Sequence, residues 1–333
     1  MQTLTINDAI DQAIAEEMRR DPNVMMFGEG VATKRRDLLE EFGARRIRNT
    51  PLAEGVIAGA AAGASAMGMR PVIDLLFAPF LTLAMDELVN SAGKLRYMSG
   101  GQFKFPLVAM AMTGTGWSVG AQHNHNLEAW FVHSPGLKVV MPSTAADCKG
   151  LMKAAIRDDN PVLFFVEMAL GFDTGEVPDG EHLVPLGRAA VRRAGSDVTL
   201  ISYGKATRAC EAAAAQLAEK GVFAELIDLR SLKPLDEETM LASAKKTGRV
   251  VVVHEANRMC GVGAEVAAIV AEKAFAALKA PVLRVTSPDV PAPSSYPLEL
   301  AFAPQAEAIT AAAESLLGQS AMTPKSALAA NAG

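Results

Sequence analysis

The sequence offers a few residues whose types and spacing could do chemistry. Glu54 is the sole charged residue between Arg48 and Arg70, and it opens a run of mostly Ala and Gly over 54–69. As a first-turn carboxylate it would be favourable against the helix dipole, and a site role stays open beside that reading. Glu29 stands between Gly28 and Gly30 after the apolar run Val24–Phe27, where a simple turn residue would also fit. His123-Asn124-His125, with His133 further on, admits zinc ligation, a structural or capping role, or acid–base chemistry. No nearby Cys, Asp or Glu completes a familiar zinc set, and Glu128 sits in an apolar helical context. The histidines follow the Gly-rich turn GTG (114–116) and precede a helix start, a good place for proton transfer.

Other motifs are weak or absent. Gly261-Val-Gly263 lacks the third glycine of a dinucleotide fingerprint, and the turn before it is too long to set a pyrophosphate on the helix start. There is no GxxxxGK[ST] loop.

The elements that must position these residues read as two α/β domains. Ile6, Ala9, Ile10, Ala13, Ile14 and Met18 predict a helix over 5–20. Strands are predicted at Val24–Phe27, Val72–Leu76, Leu107–Met112, Lys138–Met141 and Pro161–Val166. The small-residue run 54–69 predicts a helix able to approach another backbone closely, despite the low helix propensity of Gly. The second half alternates strand and helix: 198–204, Ala206–Lys220, 224–230, Asp236–Lys246 and 249–255. That alternation implies a parallel sheet with helices on its faces. The Gly-, Pro-, Asp- and Glu-rich stretch 171–187 reads as a linker, giving domains at 1–187 and 195–317 and a disordered tail at 318–333.

Composition bounds the function. A net charge of −5 and no basic cluster beyond Lys34-Arg35-Arg36 leave no footprint for nucleic acid. No window reaches the ~20 apolar residues of a membrane span, and the acidic, amphipathic opening is unlike a signal peptide. Cys148, Cys210 and Cys260 are widely spaced and form no disulfide framework, so a cytoplasmic enzyme or enzyme subunit is expected.

With these residues in view, the chain resembles the β subunit of the thiamine-diphosphate-dependent decarboxylating component of 2-oxo acid dehydrogenase complexes, within the transketolase-like superfamily. The resemblance runs from about residue 3 to 317. It is carried by GEGV (28–31), NTPLAEGVIAGAAAGASAMGMRPVID (49–74), NSAGKLRYMSGG (90–101), AQH (121–123), HSPGLKVVMPS (133–143), KAAIRDDNPV (153–162), DLRSLKPLD (228–236), KKTGRVVVVHEA (245–256) and SPDVP (287–291). LEAWF (127–131) followed by VVMPS looks closest to the pyruvate and acetoin branches.

The resemblance implies a pyrimidine-binding parallel-sheet domain and a transketolase C-terminal-like α/β domain. It implies that Glu54 is the carboxyl that shares a proton with the cofactor's pyrimidine, that Phe80 packs on that ring, and that Glu29 lies near the cofactor. His123 matches the histidine that faces the substrate and the incoming lipoyl arm. Carbonyls of Ala155, Asp158 and Asn160 match a potassium site. The GDG motif that binds a divalent metal and the cofactor's diphosphate is missing, and Pro178-Asp179-Gly180 is the nearest stretch. The resemblance therefore implies that magnesium and diphosphate are held by an α subunit, in an α2β2 heterotetramer that serves a lipoyl-bearing acyltransferase core.

Departures cluster on the substrate side. Asn124 and His125 replace the family's usual Ser and Gln, Trp117 is bulky, and Met168 follows Glu167 where a polar or aromatic run is common. They leave the choice among pyruvate, branched 2-oxo acids and acetoin open. Two alternatives stand beside this reading: the pyrimidine-binding half of a split transketolase-like enzyme, and a non-catalytic scaffold that binds a lipoyl-bearing core.

Overall fold

Ile6, Ile10, Ile14 and Met18 fall on one stripe at helical spacing, and all four are buried in the helix Ile6–Arg20. Thr5 starts that helix from outside it: its side chain accepts the Asp8 N–H at 3.0 Å, so the cap occupies the first position of the expected span. The structure, a computed structural model, describes residues 1–318. Of the expected tail, only Gly318 falls among them, at the end of the helix Ala306–Gly318.

In chain order the strands are β1 (Gln2–Thr5), β2 (Val24–Gly28), β3 (Ile47–Asn49), β4 (Arg70–Phe77), β5 (Val108–Thr113), β6 (Lys138–Val140) and β7 (Val162–Glu167). Then follow β8 (Thr174–Val177), β9 (Ala190–Arg193), β10 (Val198–Ser202), β11 (Ala224–Asp228), β12 (Ser231–Lys233), β13 (Val250–Asn257) and β14 (Leu283–Ser287). Two compact units result. One comprises Met1–Arg188, Leu229–Leu235 and Val290–Phe302; the other comprises Ala189–Asp228, Asp236–Asp289 and, of the described residues after those, 303–318. Two segments from beyond the expected 187–195 boundary thus belong to the first unit. They join it through contacts distant in sequence, such as β12 against β6.

The first unit is built on a seven-stranded sheet of order β12-β6-β7-β5-β4-β2-β3. From β6 to β3 every pairing is parallel, and only β12 runs antiparallel, at the edge. Helices Ile6–Arg20 and Ala145–Arg157 bury their apolar stripes on Val72, Met110 and Phe164 of the sheet. The expected linker is partly a strand: β8 pairs antiparallel with β1, Gln2 opposite Val177. Its composition of turn residues hid a pairing whose partner lies at the other end of the unit. The run 224–230 is likewise not one strand, because β11 ends at Asp228 and the chain turns at Arg230, whose φ is +55°.

The second unit has a five-stranded sheet, β14-β13-β10-β11-β9, parallel except for edge strand β9. The Gly261-Val-Gly263 motif has a packing role here. His254 of β13 is fully buried, stacked on Tyr203 at 5.6 Å, and a Cβ on Gly263 would lie 2.4 Å from its Nε2. The glycines make room for an imidazole. Burial, helped by the charges of Arg284 and Arg258, pushes the His254 pKa down to about 4 from 6.5.

The folded chain therefore holds His254 neutral, and between these two values the unfolded chain binds the extra proton. That contribution is intact above pH 6.5 and is lost as pH falls toward 4, by about 3 kcal/mol in all. Denaturant melts between pH 7 and pH 4 should show the decline, and His254→Leu should flatten it. Equal slopes in both chains would remove His254 as the cause. Gly263→Ala, which forces a Cβ into the ring, should cost about 1–3 kcal/mol at pH 7.

Candidate active site

Neighbouring parallel strands deliver their following loops to one edge of a sheet, where open α/β sheets bind ligands. In the first unit four adjacent strands, β3, β2, β4 and β5, end at that edge. Glu29 directly follows β2, Glu54 follows β3, Phe80 follows β4 and His123 follows β5. The sequence scatters these residues over almost a hundred positions, and the topology gathers them on contiguous strand ends.

Local packing joins three of them more closely. The 3₁₀ segment Ala78–Ala84 carries Phe80 and is packed by the helix Glu54–Ala66 on one side and the short helix Ala121–Asn124 on the other. Gly55 makes the first contact feasible, since a Cβ there would lie 3.1 Å from the Leu83 carbonyl. The His123 ring meets Phe80 edge-on at 5.4 Å and Phe77 at 4.9 Å. Its Nδ1 is buried without a hydrogen-bond partner. An unmade bond of this kind costs about 1–3 kcal/mol, which fits a group kept for a ligand.

The two carboxyls are also unengaged. Glu54 begins its helix half-buried, and neither its carboxyl nor that of Glu29 makes a hydrogen bond or ion pair among the described residues. The Lys34 ammonium instead reaches the Glu29 carbonyl at 3.3 Å. Two acids, one imidazole and two phenyl rings on one sheet edge can hold a heteroaromatic ring and exchange protons with it.

His123 and His125 stand in different surroundings. His123 lies in a single helical turn, whereas His125 is exposed after it and stands against Trp130 at 6.5 Å. Among the described residues no group of three or more His, Cys, Asp or Glu could hold a metal ion.

A cavity of about 580 Å³ opens beside Phe77, with Met112, Trp117 and Phe172 on its apolar side and Arg35 and Asp74 on its polar side. Trp117 stacks on Phe172 at 6.2 Å. Burial alone would lower the Arg35 guanidinium, but Asp11 and Asp74 hold it above its usual value. The β4 backbone is irregular here. Leu76 has φ +63°, and its N–H bonds the Asp74 carboxylate at 3.0 Å. Strain of this kind gathers at functional sites.

Ala155, Asp158 and Asn160 are not brought to this edge. They lie at the end of the helix Ala145–Arg157 and just before β7. Two cations already engage Asp158: its carbonyl accepts from Arg70 at 3.1 Å, and Lys138 pairs with its carboxylate.

Similarity to known proteins shows the family of the chain. Residues 2–170 match the transketolase pyrimidine-binding domain, and 187–309 match the transketolase C-terminal domain. The chain is 38% identical to the β subunit of acetoin:2,6-dichlorophenolindophenol oxidoreductase from Bacillus subtilis, over 96% of this chain and 99% of that one. Identity is 44% to the protein of the same name from Cupriavidus necator, over 93% and 96%. It is also 44% to the pyruvate dehydrogenase E1 component subunit beta from Rhizobium meliloti, over 93% and 69%. The chain belongs to the transketolase-like β-subunit family of 2-oxo acid and acetoin dehydrogenases. Among solved structures, a split-gene transketolase in an inactive β4 tetramer superposes with a TM-score of 0.80 at 26% identity, covering 95% of this chain and 99% of that one.

For a β subunit of this family, sequence reading missed several residues of the edge. Phe77 ends a mostly apolar strand, and Arg35 looks like one member of a surface basic run. Glu299 accepts hydrogen bonds from the loop before His123 and from Asn124 after it, from far along the chain, and no local signal marks it.

Proposed function

We propose that this chain supplies the pyrimidine side of a thiamine diphosphate site in an α2β2 dehydrogenase for a pyruvate-type 2-oxo acid or acetoin. The gathering of Glu29, Glu54, Phe80 and His123 on four adjacent strand ends, with both carboxyls and the imidazole Nδ1 unengaged, carries the reading. That donor set fits the cofactor's ring. When bound, thiamine diphosphate supplies the electron sink for cleaving the bond beside the substrate carbonyl. Glu54 exchanges a proton with the pyrimidine, Phe80 packs on that ring, and Glu29 adds a second carboxyl near it. His123 faces the substrate and the lipoyl arm that takes the acyl group to an acyltransferase core.

The partner follows from chemistry this chain lacks and from surface it exposes. No GDG stretch is present, so magnesium and the diphosphate fall to the α subunit. Grooves of about 490 and 380 Å³ flank the helix Glu54–Ala66, with Val56 and Met98 exposed on their walls. Exposed apolar surface of this extent suits a subunit contact. Relatives named as β subunits support the same assembly.

Potassium on Ala155, Asp158 and Asn160 fits poorly, because an ion there would share the Asp158 carbonyl with the Arg70 guanidinium, and no step passes through it. Among the described residues no helix is long and apolar enough to cross a membrane. The free thiols of Cys148, Cys210 and Cys260 support placing the enzyme in the cytoplasm. The split-transketolase alternative is weaker, since identity to that structure is 26% against 38–44% for the dehydrogenase subunits.

Glu54→Gln should leave the heterotetramer assembled and lower turnover by roughly two to four orders of magnitude. Steady-state rates on pyruvate, branched 2-oxo acids and acetoin check this, and activity within about threefold of wild type would reduce Glu54 to a helix-start carboxylate. His123→Ala should depress lipoyl acylation more than turnover with an artificial electron acceptor, because the earlier step depends mainly on the cofactor. His125→Gln should be mild for catalysis and act, if at all, on substrate preference. Paired assays with and without a lipoyl domain separate the two, and the reverse ranking would overturn the assignment in this loop.

A further inference from the structure

Glu299 lies in the helix Tyr296–Phe302, late in the chain yet part of the first unit. It is 2% exposed. A buried carboxyl needs donors, and the segment between β5 and the helix Glu128–His133 provides them. The Gly116 N–H donates to Oε2 at 3.2 Å, and the Ser118 N–H reaches both oxygens at 3.1 Å. The Ser118 hydroxyl donates to Oε2 at 3.3 Å, and the Asn124 amide nitrogen donates to Oε1 at 2.6 Å. Ser118 is held at φ +56°, a conformation that a non-glycine residue keeps only when its surroundings enforce it.

These bonds have a consequence for the site. They fix both chain neighbours of Trp117 and the residue next to His123. Trp117 and Phe77 line the same cavity, and Phe77 carries the His123 ring at 4.9 Å. One carboxyl therefore ties down the neighbours of one lining residue, Trp117, and the turn whose His123 ring packs on another, Phe77. Asn124 is also where this chain departs from the family's usual Ser, and its amide makes the shortest of these contacts.

We propose that Glu299 is a positioning residue that sets Trp117 and His123 at a fixed separation around the acyl side of the site, and thereby tunes which substrate is accepted. It touches neither substrate nor cofactor and acts through the loop. The inference rests on the dehydrogenase reading for its substrate, and on geometry alone for the tether.

The test reverses the hydrogen bond. Asn124→Asp sets two carboxyls face to face at the 2.6 Å contact, and adding Glu299→Gln restores a donor–acceptor pair with the roles exchanged. Trp117 and Trp130 are the two tryptophans, so a Trp130→Phe background isolates Trp117 emission in the full-length chain. Asn124→Asp should shift that emission to the red. In the enzyme reconstituted with its α subunit it should raise KM for pyruvate or acetoin by about tenfold, more than it lowers kcat. The double variant should regain the wild-type emission and a KM within about threefold of wild type. Unchanged emission and KM in Asn124→Asp would overturn the proposal, and so would a double variant that recovers neither. If Asn124→Asp fails to fold, the double variant alone decides, since the tether requires it to fold with wild-type emission. Emission needs no substrate, so failure of the dehydrogenase reading would leave the tether separately measurable.

Discussion

Parallel pairing of β3, β2, β4 and β5 is the constraint on which the site depends. Strands β2, β4 and β5 are buried over most of their length, edge strand β3 buries only Ile47, and all four end at the same edge, so the loops that follow have one place to go. Had any of the four run the other way, its residue would lie at the opposite edge of the sheet. The gathering of Glu29, Glu54, Phe80 and His123 is thus a consequence of strand direction, which apolar burial and short βα connections enforce.

Precision at that edge comes from close backbone approach. The Ala- and Gly-rich helix beginning at Glu54 reaches the 3₁₀ segment at Gly55, and the same segment receives the helix that carries His123. Small side chains therefore serve placement more than stability, at some cost in helix propensity. Glu299 adds the complementary device: a buried acceptor that ties down irregular backbone which neither sheet nor helix could hold.

Most of the architecture was legible because it is local. The stripe of Ile6, Ile10, Ile14 and Met18 and the apolar runs of β4, β5 and β7 announce their own elements. What stayed hidden depends on partners far along the chain. Strand β8 lies inside a stretch composed like a linker and becomes a strand only by pairing with β1. The segment after Asp228 leaves the second unit to place β12 beside β6, with no break in hydrophobic pattern to mark it. At the site, Glu54 and His123 could be found from their unusual neighbours and from the family resemblance. Their convergence could not, because helix–segment contacts such as Gly55 on Leu83 have no sequence signature. The glycines at 261 and 263 looked like a weak cofactor motif, and their role, making room for the His254 ring, required the fold to be seen.

A chain that holds half of a cofactor site should bind the cofactor only beside its partner. Titration calorimetry with thiamine diphosphate and magnesium addresses it directly, run on this chain alone, on its α subunit alone, and on the reconstituted pair. Measurable binding by the pair and very weak binding by this chain are expected, because the sequence of this chain lacks a GDG stretch. Micromolar binding by this chain without a partner would contradict that expectation.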